Sequence, residues 1–505
     1  MVSKDQLLTN EDSGALFQTF EDCIALMEND DKIDKTEYRQ FFLPLIFYKT
    51  VNDTYRDEYE AAAADFGEEI ADEDPAFFRL QMPDGFFWGD LTATNKRVDE
   101  TLNKALEEFE ESNQDLDISF EVDYLSFDVD ESTLKGILQE LDIANLSVES
   151  VDYDTVTNAY MGLIRRFAEE EDRDAGEFYQ PEEVIDMVVR MLAPFEDGDS
   201  FYEPTAGSGD MLVGVASHYR DEGEDPNKLT FVGQESIKGM TEAANLNFFL
   251  NDIEAEIGAA DPLDDPMQTP DGLLREFDYI LTNFPYSEGW NKSALKDDKR
   301  FGHVDKDPRK DRADYAYILH MYSSLNEKGQ LATLAPQGVL FRENESPFRK
   351  FLINEDLVEA VINLPKKLFG EDTGIAPAIL FLNKDKPEDR NSEVLFLNAA
   401  HEDFYRELDN ENQLTPEGVD RAVEIFDEWE SEERKSRVVD VEEIEETDYN
   451  LNLALYVDTT EPEEDIDTVA EAQQLAKLET ELSEIRDRMK HDLRELYGEG
   501  VNQYE

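Results

Sequence analysis

The sequence predicts an α/β protein. A doubly wound parallel sheet occupies the middle of the chain, with a helical domain before it and a helical segment after it. Three observations carry this. From about residue 170 to 400, short apolar runs alternate with amphipathic stretches, the pattern of strand–helix repeats. Before that region, apolar residues recur mainly at helical spacing. After it the chain turns polar and carries a late seam of leucines. Boundaries are expected at 1–165, 166–400 and 401–505, since 505 residues exceed one ordinary domain.

In the first region, 37–55 reads as a helix, with Tyr38, Phe42, Leu45, Ile46 and Val51 at mostly helical spacing. Pro83 and the Gly85 and Gly89 turns around Phe86-Phe87-Trp88 interrupt the pattern. Residues 147–155 are polar and acidic, a loop or a linker. In the middle region, strands are expected at 200–202, 229–233, 279–282, 331–334, 357–363 and 378–382. Helices fall between them at 181–192, 211–219, 240–250, 314–325 and 347–353. In the last region, Leu475, Leu478, Leu482, Ile485 and Met489 follow a 3,4,3,4 spacing, and Leu493 and Leu496 continue it after one slip. That seam is either coiled-coil-like or one amphipathic helix packed on its own domain.

The composition bounds the rest. A net charge of −76 comes with 31 Phe and 20 Tyr, so the chain reads as folded with a carboxylate-rich surface rather than as disordered. Such a surface suits molar salt, where the Debye length is about 3 Å and self-repulsion is screened. An extreme halophile, an archaeon, is the expected source. Any contact with nucleic acid must then use local basic patches, shape and partners, because counterion release contributes little in strong salt. One cysteine, Cys23, excludes an internal disulfide and a Cys-based zinc cluster. The five histidines show no metal-ligand spacing, and no metal is expected. No apolar run approaches the roughly 20 residues of a membrane span, and the first residues lack an apolar signal core. A cytoplasmic protein without a membrane partner is expected.

Two motifs carry chemistry. The first is Phe201-Tyr202-Glu203-Pro204-Thr205-Ala206-Gly207-Ser208-Gly209, a strand running through an acid into a glycine turn before a helix. Gly207 and Gly209 permit a tight turn and leave room for a ligand. Ser208 and nearby N–H groups at the helix start suit a carboxylate such as that of methionine. A second strand ends at Glu235, 28 residues after Gly207, where a carboxylate can accept both ribose hydroxyls. Asp261 stands where a third strand should end and is a candidate for the adenine amino group of the cofactor, with Asp264 and Asp265 as alternatives. This is how a Rossmann-like methyltransferase builds an S-adenosylmethionine site.

The second motif is Asn283-Phe284-Pro285-Tyr286, at the end of the fourth expected strand. An exocyclic amine has its lone pair delocalised into the ring. Two acceptors must draw its N–H bonds out so that the nitrogen becomes more tetrahedral and nucleophilic. The Asn283 side chain is one acceptor and the Phe284 carbonyl the other. Pro285 fixes the turn, and the Tyr286 ring stacks on a base flipped from the duplex. The gain is mostly orientation. The two motifs together imply an amino-group methyltransferase acting on adenine in DNA. A methyltransferase for a protein glutamine or for RNA, and a non-catalytic structural subunit, are the alternatives.

Residues 292–312 hold eight of the 46 basic residues against five acids and follow closely on Tyr286. Lys292, Lys299, Arg300, Arg309 and Lys310 are the candidates for contacting the DNA backbone, which positions a duplex without reading its sequence. The alternative is a solvated loop whose charges offset nearby acids.

At this point the chain resembles a known family, the methylation subunit of type I restriction–modification systems, an adenine-N6 DNA methyltransferase. Glu37-Tyr38-Arg39 with Leu43 to Lys49, and Pro83 and Trp88, look like its helical domain. Gly176-Glu177-Phe178-Tyr179-Gln180-Pro181 is similar to a segment that helps hold the methionine part of the cofactor, which assigns Phe178, Tyr179, Gln180 and Pro181 to the cofactor site. Asn363-Leu364-Pro365, Leu368-Phe369 and Thr373-Gly374-Ile375-Ala376-Pro377 resemble the late catalytic domain, and Asp448-Tyr449-Asn450-Leu451-Asn452 with Tyr456-Val457 a segment before its last helices. The chain departs at Phe284, where a proline is usual, at Gln180 for Thr, and at Asp210 for Gly. The resemblance implies double-stranded DNA, a specificity subunit and a second methylation subunit as partners, the C-terminal helices as the docking segment, and a motor/restriction subunit as a further candidate.

Overall fold

A computed structural model describes residues 11–30, 32–114, 118, 120, 122–147, 159, 162–163, 166–167, 180–237, 239–286, 288–290, 298–369, 376–408, 411–459 and isolated positions from 477 to 489. The chain divides into two units, Met1–Thr459 and Thr460–Glu505.

The first part is helical, as its spacing predicts. Helices α1 (Glu11–Asp30), α2 (Tyr38–Phe66), α3 (Val98–Ser112) and α4 (Glu131–Leu141) enclose an aromatic-rich core. Helix α2 covers the expected helical stretch and is buried almost continuously from Tyr38 to Thr54. It therefore buries polar residues, and several of these bond one another or nearby backbone. Lys49 Nζ pairs with the Asp53 carboxylate and donates to the Ala144 carbonyl at 2.9 Å. Asp53 also accepts from Leu146 N at 3.0 Å. Asn52 Oδ1 accepts from Trp88 N at 2.9 Å.

The strand–helix repeats build a nine-stranded sheet. Its strands are β1 (Ser200–Glu203), β2 (Thr230–Gln234), β3 (Ala255–Gly258), β4 (Phe277–Asn283), β5 (Leu325–Pro336), β6 (Val358–Asn363), β7 (Pro377–Asn383), β8 (Glu393–Asn398) and β11 (Ser436–Asp440). The order is β11-β8-β6-β7-β5-β4-β1-β2-β3, and β9 (Tyr405–Glu407) and β10 (Asn412–Leu414) form a separate pair. Strands β3, β2, β1, β4 and β5 run parallel. The all-parallel expectation is corrected at β7, which is antiparallel to β5 and β6, and at β11, antiparallel to β8. Every residue of β7 is buried. A strand covered on both faces shows the same apolar run in either direction, so its sense is not written in the pattern.

Helices cover both faces. Helices α5 (Glu182–Leu192), α6 (Asp210–Asp221) and α10 (Pro416–Glu428) pack in one layer. Helices α8 (Asp314–Ser323) and α9 (Ser346–Asn354) pack in the other. Helix α7 (Met240–Leu250) is buried along its whole length, because it is shared between the sheet and the helical domain. Phe249 of α7 meets Phe47 of α2 edge-on at 6.4 Å. At Gly239, just before α7, an added Cβ would stand 3.1 Å from the Gln40 backbone, so the two parts touch closely here. Beyond residue 400, where the sequence predicts only helix, α10 and β11 complete the sheet structure as far as 459. In the second unit, Leu478, Leu482, Ile485 and Met489 are exposed, and Leu475 lies outside the described residues. No helix among the described residues is long and apolar enough to cross a membrane.

Candidate active site

The site lies at the carboxyl ends of β1, β2 and β4, where an open α/β sheet binds ligands. After Glu203 the chain turns through Pro204 to Gly209 into α6. Gly207 and Gly209 have φ of 54° and 75°, the left-handed region that favours glycine. At Gly209 an added Cβ would also stand 2.5 Å from the Phe248 ring. The turn is stitched to β2 by Ala206 N donating to the Gln234 carbonyl at 2.8 Å. Glu235, one residue past β2, faces the turn and accepts from Gly207 N at 2.8 Å and Ile237 N at 2.6 Å. Sequence spacing thus brings Glu203, Gly207, Ser208, Gly209 and Glu235 together.

The electrostatics of this corner are unusual. Glu203 is 3% exposed, and its Oε2 has no hydrogen-bond partner among the described residues. Burial holds its carboxyl well above the usual range, and the negative charges of Asp210 and Glu235 add to the effect. Burial also raises Glu235, opposed by its backbone N–H partners and by the positive charge of Arg39. Arg39 is a buried residue of α2, so the helical domain brings a cation to this corner. Nothing in the sequence pattern signalled this. Asp261 is half-buried, while Asp264 and Asp265 are exposed and turn their N–H groups to the Asp261 carbonyl at 3.1 and 2.8 Å. Among the three alternatives, Asp261 is the one set into the fold.

Strand β4 lies beside β1, with Phe201 opposite Tyr279 and Tyr202 opposite Ile280. This register sets Asn283 next to the glycine turn. Thr205 Oγ1 bonds Thr282 Oγ1 at 2.7 Å and donates to the Asn283 carbonyl at 3.3 Å. Asn283 Nδ2 donates to Gln180 Oε1 at 3.1 Å, which ties the Asn283 side chain to the segment leading into α5. Phe284 is 1% exposed and its ring stacks on Tyr317 of α8, with centroids 5.3 Å apart and planes 16° apart. Tyr286 meets Phe284 edge-on at 6.0 Å and remains half-buried. The ring therefore anchors the turn by packing, where a proline would stiffen it through the backbone. Pro181 directly precedes α5. Phe178, Tyr179 and Lys292 lie outside the described residues.

The basic segment divides. Lys299 and Lys310 are exposed, and Arg309 pairs with Asp311. The segment is held near the second motif, since Trp290 N donates to the Lys310 carbonyl at 3.0 Å and Ala313 N to Glu288 at 2.8 Å. Arg300 departs from the expected DNA-backbone contact. It is 6% exposed, and its guanidinium is committed to Asp298, Pro262, Leu263 and His320. It is placed as an internal anchor rather than as a phosphate contact.

The chain is similar to known proteins along most of its length. Residues 151–465 match the model of the N-6 DNA methylase family, and residues 26–141 that of the HsdM N-terminal domain. The type I restriction enzyme MjaVII methylase subunit of Methanocaldococcus jannaschii is 31% identical over 421 residues, which cover 80% of this chain and 70% of that protein. Among solved structures, the type I restriction–modification methyltransferase subunit of Streptococcus thermophilus superposes with a TM-score of 0.70 at 27% identity, over 88% of this chain and 100% of the other. A class I S-adenosylmethionine-dependent methyltransferase of Listeria monocytogenes shares the fold, with a TM-score of 0.51 at 13% identity, over 83% and 99% of the two chains.

Proposed function

Because this chain belongs to the N-6 DNA methylase family and is the methylase subunit of a type I restriction–modification system, a DNA methyltransferase, we propose that the corner between β1, β2 and β4 takes S-adenosylmethionine and methylates the N6 amino group of adenine. The observation that carries this reading is the adjacency of the Gly207–Gly209 turn and Asn283, joined through Thr205. S-adenosylmethionine, when bound, supplies an electrophilic methyl group on a sulfonium. A corner that buries Glu203, Asp210 and Glu235 together suits a cationic ligand, and the unpartnered Oε2 of Glu203 suits an ammonium donor. Glu203, Pro204, Thr205, Gly207, Ser208 and Gly209 would form the methionine side, with Phe178, Tyr179, Gln180 and Pro181 closing over it. Glu235 would take the ribose hydroxyls and Asp261 the adenine amino group.

At the second motif, the Asn283 side-chain oxygen and the Phe284 carbonyl accept from the two N–H bonds of the target amine. They turn its lone pair toward the methyl group. Pro285 and the buried Phe284 ring hold the turn, and the Tyr286 face stacks on the extruded base. Family membership favours DNA over a protein glutamine or RNA as substrate. A specificity subunit would supply the target reading. A second methylation subunit would complete the modification complex, with a motor/restriction subunit added for cleavage. The exposed apolar residues from Leu478 to Met489 support the C-terminal region as the docking segment. We assign 1–165 to a helical domain, 166–400 to methyl transfer and 401–505 to docking, with 401–459 also bracing the sheet.

Calorimetry with S-adenosylmethionine tests the cofactor reading. Glu235→Ala should weaken binding by roughly 1 kcal/mol or more, the size of a lost charge-assisted hydrogen bond. Unchanged affinity would remove Glu235 from the site. The basic segment has its own test. Gln at Lys299, Arg309 and Lys310 together should weaken DNA binding similarly on cognate and unrelated duplexes and flatten its salt dependence, with cofactor affinity unchanged. An unmoved salt slope would mean that the DNA path runs elsewhere.

A further inference from the structure

Arg300 heads a larger buried arrangement. Arg300 sits in the turn Lys299–Phe301, and all five of its N–H groups are used. Nε and one Nη2 hydrogen go to the Asp298 carboxylate, at 3.0 Å and 2.6 Å. The other Nη2 hydrogen goes to the Leu263 carbonyl at 2.7 Å. Nη1 donates to the Pro262 carbonyl at 2.7 Å and to His320 Nδ1 at 3.1 Å. A guanidinium accepts nothing and keeps its charge, so Nδ1 of His320 must be the acceptor and Nε2 must carry the hydrogen. Nε2 stands 3.1 Å from the Tyr202 hydroxyl, which donates its own proton to Gln234 Oε1 at 2.5 Å. Gln234 Oε1 also accepts from Met267 N at 3.1 Å, and its Nε2 donates to the Asp265 carbonyl at 2.9 Å.

From Arg300 to Gln234 each proton points the same way along the chain of residues. His320 and Tyr202 are fully buried and Gln234 nearly so. Burial, and the Arg300 charge beside it, hold the His320 pKa well below its ordinary value, which keeps one neutral tautomer in place. Both ends of the chain return to one loop, the segment after β3: Pro262 and Leu263 at one end, Asp265 and Met267 at the other. Asp261 directly precedes the first of those anchors, and its Oδ1 accepts from Leu263 N at 2.8 Å. A loop without regular hydrogen bonding needs outside partners for its buried carbonyls, and this network provides them.

We propose that Arg300, His320 and Tyr202 are positioning residues of the cofactor site, which lock the 261–267 loop so that Asp261 presents its carboxylate to the 6-amino group of the cofactor's adenine. The inference rests on the reading of Asp261 given above. It makes the network a determinant of base selectivity in the cofactor rather than a support for the sheet alone. Arg300 is specific in this role, because a lysine cannot hold two carbonyls, a carboxylate and an imidazole in one plane.

The test is calorimetry on the full chain with two probes, S-adenosylhomocysteine and S-inosylhomocysteine, which carries an oxygen where adenine has its amino group. The wild-type protein should prefer the adenosyl compound. Tyr202→Phe removes only the central hydroxyl and keeps the ring stacked on Phe277, 4.6 Å away. It should narrow that preference about tenfold, the equivalent of one well-placed hydrogen bond. His320→Leu should do the same. His320→Gln, whose amide can both accept from Arg300 and donate to Tyr202, should restore most of it. Asp261→Ala separates the two claims. If it leaves the preference intact, the reading of Asp261 fails and takes this inference with it. If Asp261→Ala abolishes the preference while Tyr202→Phe and His320→Leu merely lower the melting temperature, the network stabilises the fold alone and the proposal is overturned.

Discussion

Asn283→Ala is expected to leave a folded chain that binds S-adenosylmethionine as the wild type does and methylates DNA roughly 100- to 1000-fold more slowly, the range for losing one preorganised polar contact to a reacting centre. The split follows from where Asn283 stands. It ends β4, so truncation removes neither a core side chain nor a link in the glycine turn; Thr205 bonds the Asn283 backbone carbonyl, which alanine retains. What is lost is the side chain proposed to draw out the amine N–H, together with its bond to Gln180, a residue that Pro181 and α5 also hold in place. Single-turnover kinetics at saturating cofactor should show the whole loss in the transfer step. Tyr286→Ala should act differently, costing roughly 1–3 kcal/mol of stacking with the flipped base. The fluorescence of a 2-aminopurine at the target position reports it. Full activity in Asn283→Ala ends the proposed mechanism.

Asp53→Ala is expected to destabilise the first unit by about 3–5 kcal/mol, because it leaves the Lys49 ammonium buried and uncompensated. Both side chains of the pair are at most 3% exposed, and Asp53 also satisfies Leu146 N. Urea unfolding in concentrated salt measures the loss. Salt should mask little of it, since a buried pair is poorly screened. The double substitution Lys49→Met with Asp53→Leu should recover most of the stability, as apolar replacement of a whole buried pair often does. A loss under about 1 kcal/mol in Asp53→Ala would mean that water reaches the pair.

The two chemical motifs were legible because each is local. A strand, an acid and a glycine turn at 201–209, and a polar turn after the strand at 277–283, need only the adjacent residues to be recognised. What was not legible depends on partners distant in sequence. Arg300 looks like a solvent cation within a polar stretch. Its burial is set by carbonyls at 262 and 263 and by His320 on α8. Phe284 is visible as an unusual residue in its turn, but the Tyr317 ring that receives it is a whole segment away. Strand β3 is short and mostly half-buried, so it gave no apolar run, yet it leads directly to Asp261. Strand β11 follows a polar stretch and joins the sheet only through β8. Arg39 approaches Glu235 because α7 packs against α2, a consequence of the fold rather than of spacing.

The most direct measurement of the central claim, that Asn283 and its turn methylate adenine N6, is the identity of the product. The chain and its specificity subunit are given duplex DNA and S-adenosylmethionine with a deuterated methyl group, and the DNA is digested and analysed by mass spectrometry. Deuterated N6-methyladenine should be the only labelled nucleoside, and it should nearly vanish when the chain carries Asn283→Ala. Label on cytosine, label confined to protein or RNA, or N6-methyladenine at wild-type levels from the Asn283→Ala complex would contradict the account.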